Sequence, residues 1–137
     1  MKYVILPYLI LLTSFTSYDY ESKSCTDFKL GSYKIFMSED SESYYTIKRT
    51  DSSQIEINEY GDEVYYTIKW ISDCSYVQKF DKSKMKLTDE MKMVNGDGGM
   101  IIELLDVIDE NHITFRSYVK NFKEMSMRNG VFERTKN

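Results

Sequence analysis

The pentapeptide Tyr-Tyr-Thr-Ile-Lys occurs at residues 44–48 and again, letter for letter, at 65–69. Aromatic and β-branched residues of this kind favour a pleated, half-buried surface. Each copy runs into a polar turn, Asp51-Ser52-Ser53 after the first and Ser72-Asp73 after the second. Each turn is followed by another alternating stretch. The arrangement predicts two consecutive β-hairpins, over 43–60 and from Val64 to Phe80.

Within the first hairpin the register decides which residues face inward. A two-residue loop puts Ile47 opposite Glu56. A three-residue loop, Asp51 to Ser53, puts Ile47 opposite Ile57 and Lys48 opposite Glu56. The second register gathers apolar residues on one face and opposite charges on the other, so it is the expected one. In the second hairpin Tyr66, Ile68 and Trp70 share a face with Cys74, Tyr76 and Phe80. Arg49 stands in the first copy where Trp70 stands in the second. An arginine on an apolar face needs compensation. It is expected to meet a carboxylate, cap a barrel end, or face the polar end of a ligand.

The rest of the chain reads as further strands. Phe28 to Met37 is a strand with a break at Gly31. Ser38 to Glu42 is a charged, solvated loop without the oxygen spacing of a calcium loop. From Lys82 to Asn95 two readings stand: Thr88-Asp89-Glu90 opens a short helix carrying Met91 and Val94 and stopped by Gly96, or Lys84 to Leu87 adds a short strand instead. Met100 to Ile108 is a strand with Ile102, Leu104 and Ile108 on one face. His112 to Val119 follows, with Ile113, Phe115 and Val119 inward and His112 outward at the surface. Glu124 to Arg134 is a last strand kinked at Gly130. About eight strands with short connections make an all-β, antiparallel up-and-down meander. It closes into a lipocalin-like barrel or a strongly curled sheet.

The N-terminus has the layout of a secretory signal peptide over residues 1–17: a lysine, an almost wholly apolar run from Tyr3 to Leu12, then small residues. A polar tail over 18–27 and a single β domain over 28–137 follow. The expected location is periplasmic or extracellular. The alternative is a membrane anchor over residues 3–15, although that run is shorter than the ~20 residues a spanning helix needs. In an exported chain the two cysteines, Cys25 and Cys74, suggest a disulfide. Closing that loop stabilises the fold by about 3–4 kcal/mol on chain-entropy grounds. Two buried free thiols are the other possibility.

Composition excludes several functions. Removing Lys2 with the leader leaves 17 basic against 22 acidic residues, and such a surface repels nucleic-acid phosphate. A single histidine and no Cys-x-x-Cys argue against a metal site. Asn95-Gly96-Asp97-Gly98-Gly99 has no following Lys-Ser/Thr, so it is no phosphate loop, and no cofactor is expected. No serine sits in a Gly-x-Ser-x-Gly setting. The carboxylates Glu56, Glu59, Asp62 and Glu63 read as a solvated hairpin end rather than a glycosidase pair. The chain is expected to be non-enzymatic.

The strand 28–37, the Arg49-x4-Gln54-x-Glu56 hairpin and the Trp70-x3-Cys74-x-Tyr76 hairpin resemble a family of small, exported, uncharacterised bacterial β-proteins. The resemblance extends through Gly99–Val119 to Gly130-x-Phe132. Some members carry the label "DNA topoisomerase IV", which an acidic, exported chain of 137 residues cannot support. The chain is also similar to lipocalin-like barrels. Gly31-Ser32-Tyr33 stands where those have Gly-x-Trp, and Arg116 and Arg134 are the candidates for a closing arginine. The aromatic face Tyr45, Tyr66, Trp70, Tyr76 and Phe80, with Arg49 at one end, suggests a lipocalin-type module holding a small apolar or amphipathic ligand inside the barrel, with Arg49, Tyr66, Trp70 and Tyr76 as its binding residues. The same aromatic face is also what a simply filled core requires. The alternative function is an envelope interaction or structural protein. It would act through its outer sheet surface, with the outward Tyr44 and Tyr65 as a partner patch.

Overall fold

A computed structural model describes residues 24–37 and 42–136. The expected leader and the first part of the charged loop lie outside the described residues. The strands are β1 (Gly31–Phe36), β2 (Tyr45–Arg49), β3 (Ser53–Ile57), β4 (Glu63–Ser72), β5 (Ser75–Phe80), β6 (Met100–Val107), β7 (His112–Val119) and β8 (Arg128–Arg134). Each pairs antiparallel with the next, and β8 returns to β1 through Tyr33↔Arg134 and Ile35↔Phe132. The sheet is therefore a closed barrel, not a curled sheet. Closure leaves no unpaired strand edge.

Period-two alternation sets the faces, as the repeats require. Tyr45 and Ile47 in β2, and Tyr66 and Ile68 in β4, all lie on the inward parity. Trp70 pairs with Tyr76 and Tyr66 with Phe80, so the second hairpin has the expected register. The expected helix is α1 (Asp89–Gly96), and the Thr88 hydroxyl caps it by accepting from the Met91 amide at 3.2 Å.

Four local expectations are corrected. In the first hairpin Ile47 faces Glu56 and Arg49 faces Gln54, which is the two-residue-loop register. Thr50 closes the Asp51-Ser52 loop: its amide donates to the Ser53 carbonyl at 2.8 Å, and its hydroxyl lies 2.7 Å from that of Ser53. Turn chemistry thus wins over apolar matching, and Gln54 and Glu56, not Ile55 and Ile57, point into the barrel. Next, residues 25–28 are no tail: they form a 3₁₀ turn, Cys25–Phe28, that buries Phe28 completely. The strand begins only at Gly31, whose φ of +120° provides the break. In β6 a register shift between Leu104 and Val107 turns Val107 towards Ile113 and leaves Ile108 exposed. Lastly, residues 123–126 are a helical turn, α2 (Lys123–Ser126), so the final strand starts at Arg128. Gly130 does not kink it. A Cβ there would lie 2.6 Å from the Phe36 carbonyl and 2.7 Å from the Phe115 ring.

One end of the barrel is closed. The 3₁₀ turn lies across it, and the Cys25–Cys74 disulfide ties it to the β4–β5 turn. Phe28, Tyr33, Ile47, Tyr76 and Ile113 are the largest fully buried side chains. Arg134 finishes the closure. It donates to the Asp27 carbonyl at 2.7 Å, and its guanidinium lies 4.8 Å from the Phe28 ring and 5.7 Å from that of Tyr33. Arg116, the other candidate, is engaged on the outer wall by Glu103 at 2.8 Å. The opposite end carries the β3–β4 turn and the excursion through α1.

Candidate functional site: the barrel cavity

The inner face of β3 is what makes this barrel unlike a filled apolar one. Its inward residues are Gln54 and Glu56, and β5 contributes Gln78 beside Tyr76 and Phe80. These polar groups form a ladder across the barrel. Arg49 Nε donates to Gln54 Oε1 at 2.9 Å, and the Tyr76 hydroxyl donates to the same oxygen at 3.2 Å. Gln54 Nε2 then donates to Gln78 Oε1 at 3.2 Å. Arg49, Gln54 and Gln78 are all buried, so each bond is made in a low dielectric.

Arg49 underlies this ladder as a floor. Its Nη1 donates to the Phe28 carbonyl at 3.1 Å. Its guanidinium is surrounded by the rings of Tyr76, Phe132 and Tyr33 at 4.7, 4.8 and 5.3 Å. No carboxylate pairs with it among the described residues; three π faces and two hydrogen bonds take that role. Of the expected roles for Arg49, the structure shows the barrel-end cap.

Above the ladder lies a cavity of about 120 Å³. It has two kinds of wall. Gln54, Glu56, Gln78, Tyr76 and Ser117 form the polar one. Ile35, Met100, Ile102 and the Phe115 and Phe132 rings, stacked at 4.1 Å, form the apolar one. Met37 and Tyr45 also line it and are 43% and 41% exposed, which marks the way out to solvent at the open end.

Burial raises the pKa of Glu56 above the ordinary carboxylate value, against a smaller opposing effect of its hydrogen bond from Tyr66. Burial and the Glu56 carboxylate together push the Tyr66 hydroxyl strongly upward, so it remains a proton donor. Tyr76 is pushed up to about 12, chiefly by burial. Among the described residues, no group of His, Cys, Asp and Glu side chains could hold a metal ion.

Of the four binding residues expected from the sequence, Tyr76 lines the cavity and Tyr66 stands behind Glu56. Arg49 is the floor. Trp70 is elsewhere, at the closed end, with its ring 4.8 Å from Tyr76 and the Lys29 amine 4.5 Å above it. Gln54, Glu56, Gln78 and Ser117 also line the cavity and are not among the four expected residues. All four lie on the inward parity of their strands, and the Thr50-Asp51-Ser52-Ser53 turn was the signal for the first two. The carboxylates of the first hairpin also divide: Glu59, Asp62 and Glu63 are exposed at the hairpin end, whereas Glu56 is inside.

The outer wall offers less. Tyr44 and Tyr65 both face outward, but β3 lies between their strands. The Tyr65 hydroxyl donates to Glu63, and Tyr44 packs on Phe36 at 5.8 Å. A larger hollow of about 870 Å³ lies on the outside of β4 and β5, beside Lys69, Lys79 and Lys120. It is open to solvent and takes no part in the internal ladder. His112 is a surface residue, 2.7 Å from Asp109 Oδ1.

No helix among the described residues is long and apolar enough to cross a membrane. The Cys25–Cys74 bond fits an oxidising compartment. Comparison of the chain with known protein families, curated proteins and solved structures finds no match.

Proposed function

We propose that this protein is an exported, non-enzymatic binding module that takes up a small amphipathic ligand inside its barrel. The observation that carries the reading is the two-sided cavity. Hydrogen-bonding groups converge on one wall and stacked rings and aliphatic chains form the other, at the open end of an otherwise filled barrel. Binding sites of this type combine a mostly apolar lining with a few fixed polar groups. The ladder from Arg49 to Gln78 holds those groups in place before a ligand arrives, which reduces the ordering cost of binding.

Native mass spectrometry of the protein isolated from its own host tests this. The expected result is an added small-molecule mass that is lost on denaturation. Ser117→Phe, which fills the cavity from β7, is expected to abolish the adduct and keep the fold. A bare mass for the wild type, or an adduct retained by Ser117→Phe, would place any ligand outside the barrel.

A further inference from the structure

Among the described residues, the cavity lining contains one carboxylate, Glu56, and no lysine, arginine or histidine. Glu56 makes no ion pair among the described residues, and its hydrogen-bond partner is the Tyr66 hydroxyl. An ionised carboxylate can accept about four hydrogen bonds. One hydroxyl leaves most of that capacity facing the cavity. Arg49 does not supply the missing charge, because Gln54, the Phe28 carbonyl and three rings hold it at the floor. A half-buried carboxylate without a cation is costly to keep charged.

From this geometry we infer that the ligand is a cation: a small primary amine whose ammonium sits on Glu56 and whose short apolar tail lies against Phe115 and Phe132. The inference rests on the barrel-binding reading above and names its ligand class. An ammonium supplies the charge and the donors that Glu56 lacks, while the stacked rings take an alkyl or aryl tail. An anionic amphiphile of the same size would meet the carboxylate and be repelled. The volume of about 120 Å³ fixes the scale. It equals the share of about four liquid waters at ~30 Å³ each, room for a chain of roughly four carbons and its ammonium. The β3–β4 turn continues from Glu56 to Glu59, Asp62 and Glu63, all exposed. That rim favours the approach of a cation over an anion at low salt.

The test uses three probes of one shape: n-butylammonium, 1-butanol and butyrate. Each is titrated into the folded, disulfide-bonded protein while the Ile35, Ile102 and Met100 methyl resonances are followed. The expected result is that n-butylammonium shifts these methyls with at least tenfold higher affinity than 1-butanol, and that butyrate shifts none of them. Glu56→Gln is expected to abolish the tenfold preference and retain the weak binding of 1-butanol. A measurement needing no variant runs beside it. As pH falls and Glu56 protonates, n-butylammonium weakens while 1-butanol does not. Among the described residues, the other titratable groups of the lining are the phenols of Tyr45 and Tyr76, with the Tyr66 phenol behind Glu56 and the carboxylates of Glu59, Asp62 and Glu63 on the adjoining β3–β4 turn.

Equal affinity for n-butylammonium and 1-butanol overturns the cation assignment and leaves the barrel-binding reading standing. So does a preference that survives both Glu56→Gln and acidification. Failure of all three probes to move any of the methyls overturns both.

Discussion

The two ends of the barrel are built from the same eight strands and obey opposite rules. At the closed end every inward position is filled. Phe28, Tyr33 and Ile113 are fully buried, the buried Arg49 guanidinium is enclosed by rings, and a covalent bond holds the plug in place. At the open end the inward positions carry amide, carboxylate and hydroxyl groups, and space remains between them. Moving two residues along β3, from Gln54 to Glu56, crosses from one regime to the other. The barrel thus fills one part of its interior and leaves polar groups and space in the other, with the Arg49–Gln54–Gln78 ladder as the partition.

Truncation should expose this difference most sharply. Phe28→Ala removes a fully buried ring that packs on Tyr33 and against the Arg134 guanidinium at the closed end, and is expected to cost about 3–5 kcal/mol in urea unfolding. Met100→Ala, at the cavity wall, enlarges a space that already exists and should cost clearly less, ~1–2 kcal/mol. Equal costs would show that the open end is packed as tightly as the closed one. Next comes the plug. Cys25→Ser with Cys74→Ser is expected to lower stability by about 3–4 kcal/mol and to leave the affinity of any cavity ligand within twofold. A large loss of binding would mean that the two ends are coupled through the ladder. Arg49→Met keeps the volume but leaves the Phe28 carbonyl and Gln54 short of donors. The expected cost is about 1–3 kcal/mol, and a stabilised variant would show that the ring enclosure does not compensate the buried charge.

The smallest effect has the most telling sign. The pKa of Glu56 is higher in the folded protein than in the unfolded chain. Such a group favours the folded state below its unfolded pKa, and that contribution is lost as pH rises through its folded pKa. Glu56→Gln should therefore raise the melting temperature at neutral pH, with the gain shrinking on acidification. A destabilised Glu56→Gln at pH 7 would mean that the carboxylate is already satisfied.

How much of this was readable in the chain follows the same division. The repeats fixed strand direction and parity because Tyr, Thr and Ile alternate cleanly. They led to an eight-stranded meander and to inward Tyr66, Trp70 and Tyr76. The helix at Thr88 was legible from its cap. The cavity was not, because the register of β3 was judged on the rule that an interior is apolar. By that rule Ile55 and Ile57 go inside, and Gln54 and Glu56 are decoration. The two-residue turn at Asp51-Ser52 overrides it, since Thr50 and Ser53 bond each other four times across the loop, through backbone and side chain. A polar residue at a position that turn chemistry points inward is a local rule broken, the kind of place where a functional site is expected. Arg134 was readable only as one of two candidate closing arginines. Its choice over Arg116 depends on a carbonyl, that of Asp27, 107 residues away.

The closed end has one further consequence. The 3₁₀ turn at Cys25–Phe28 and the end of β8, where the Thr135 amide donates to the Ser32 carbonyl at 3.0 Å, meet on the same pole. Both ends of the described chain leave the barrel there, away from Met37 and Tyr45. A handle joined directly ahead of Ser24 or after Lys136 would start from the pole opposite the mouth, so a short tether there leaves Met37 and Tyr45 facing away from it.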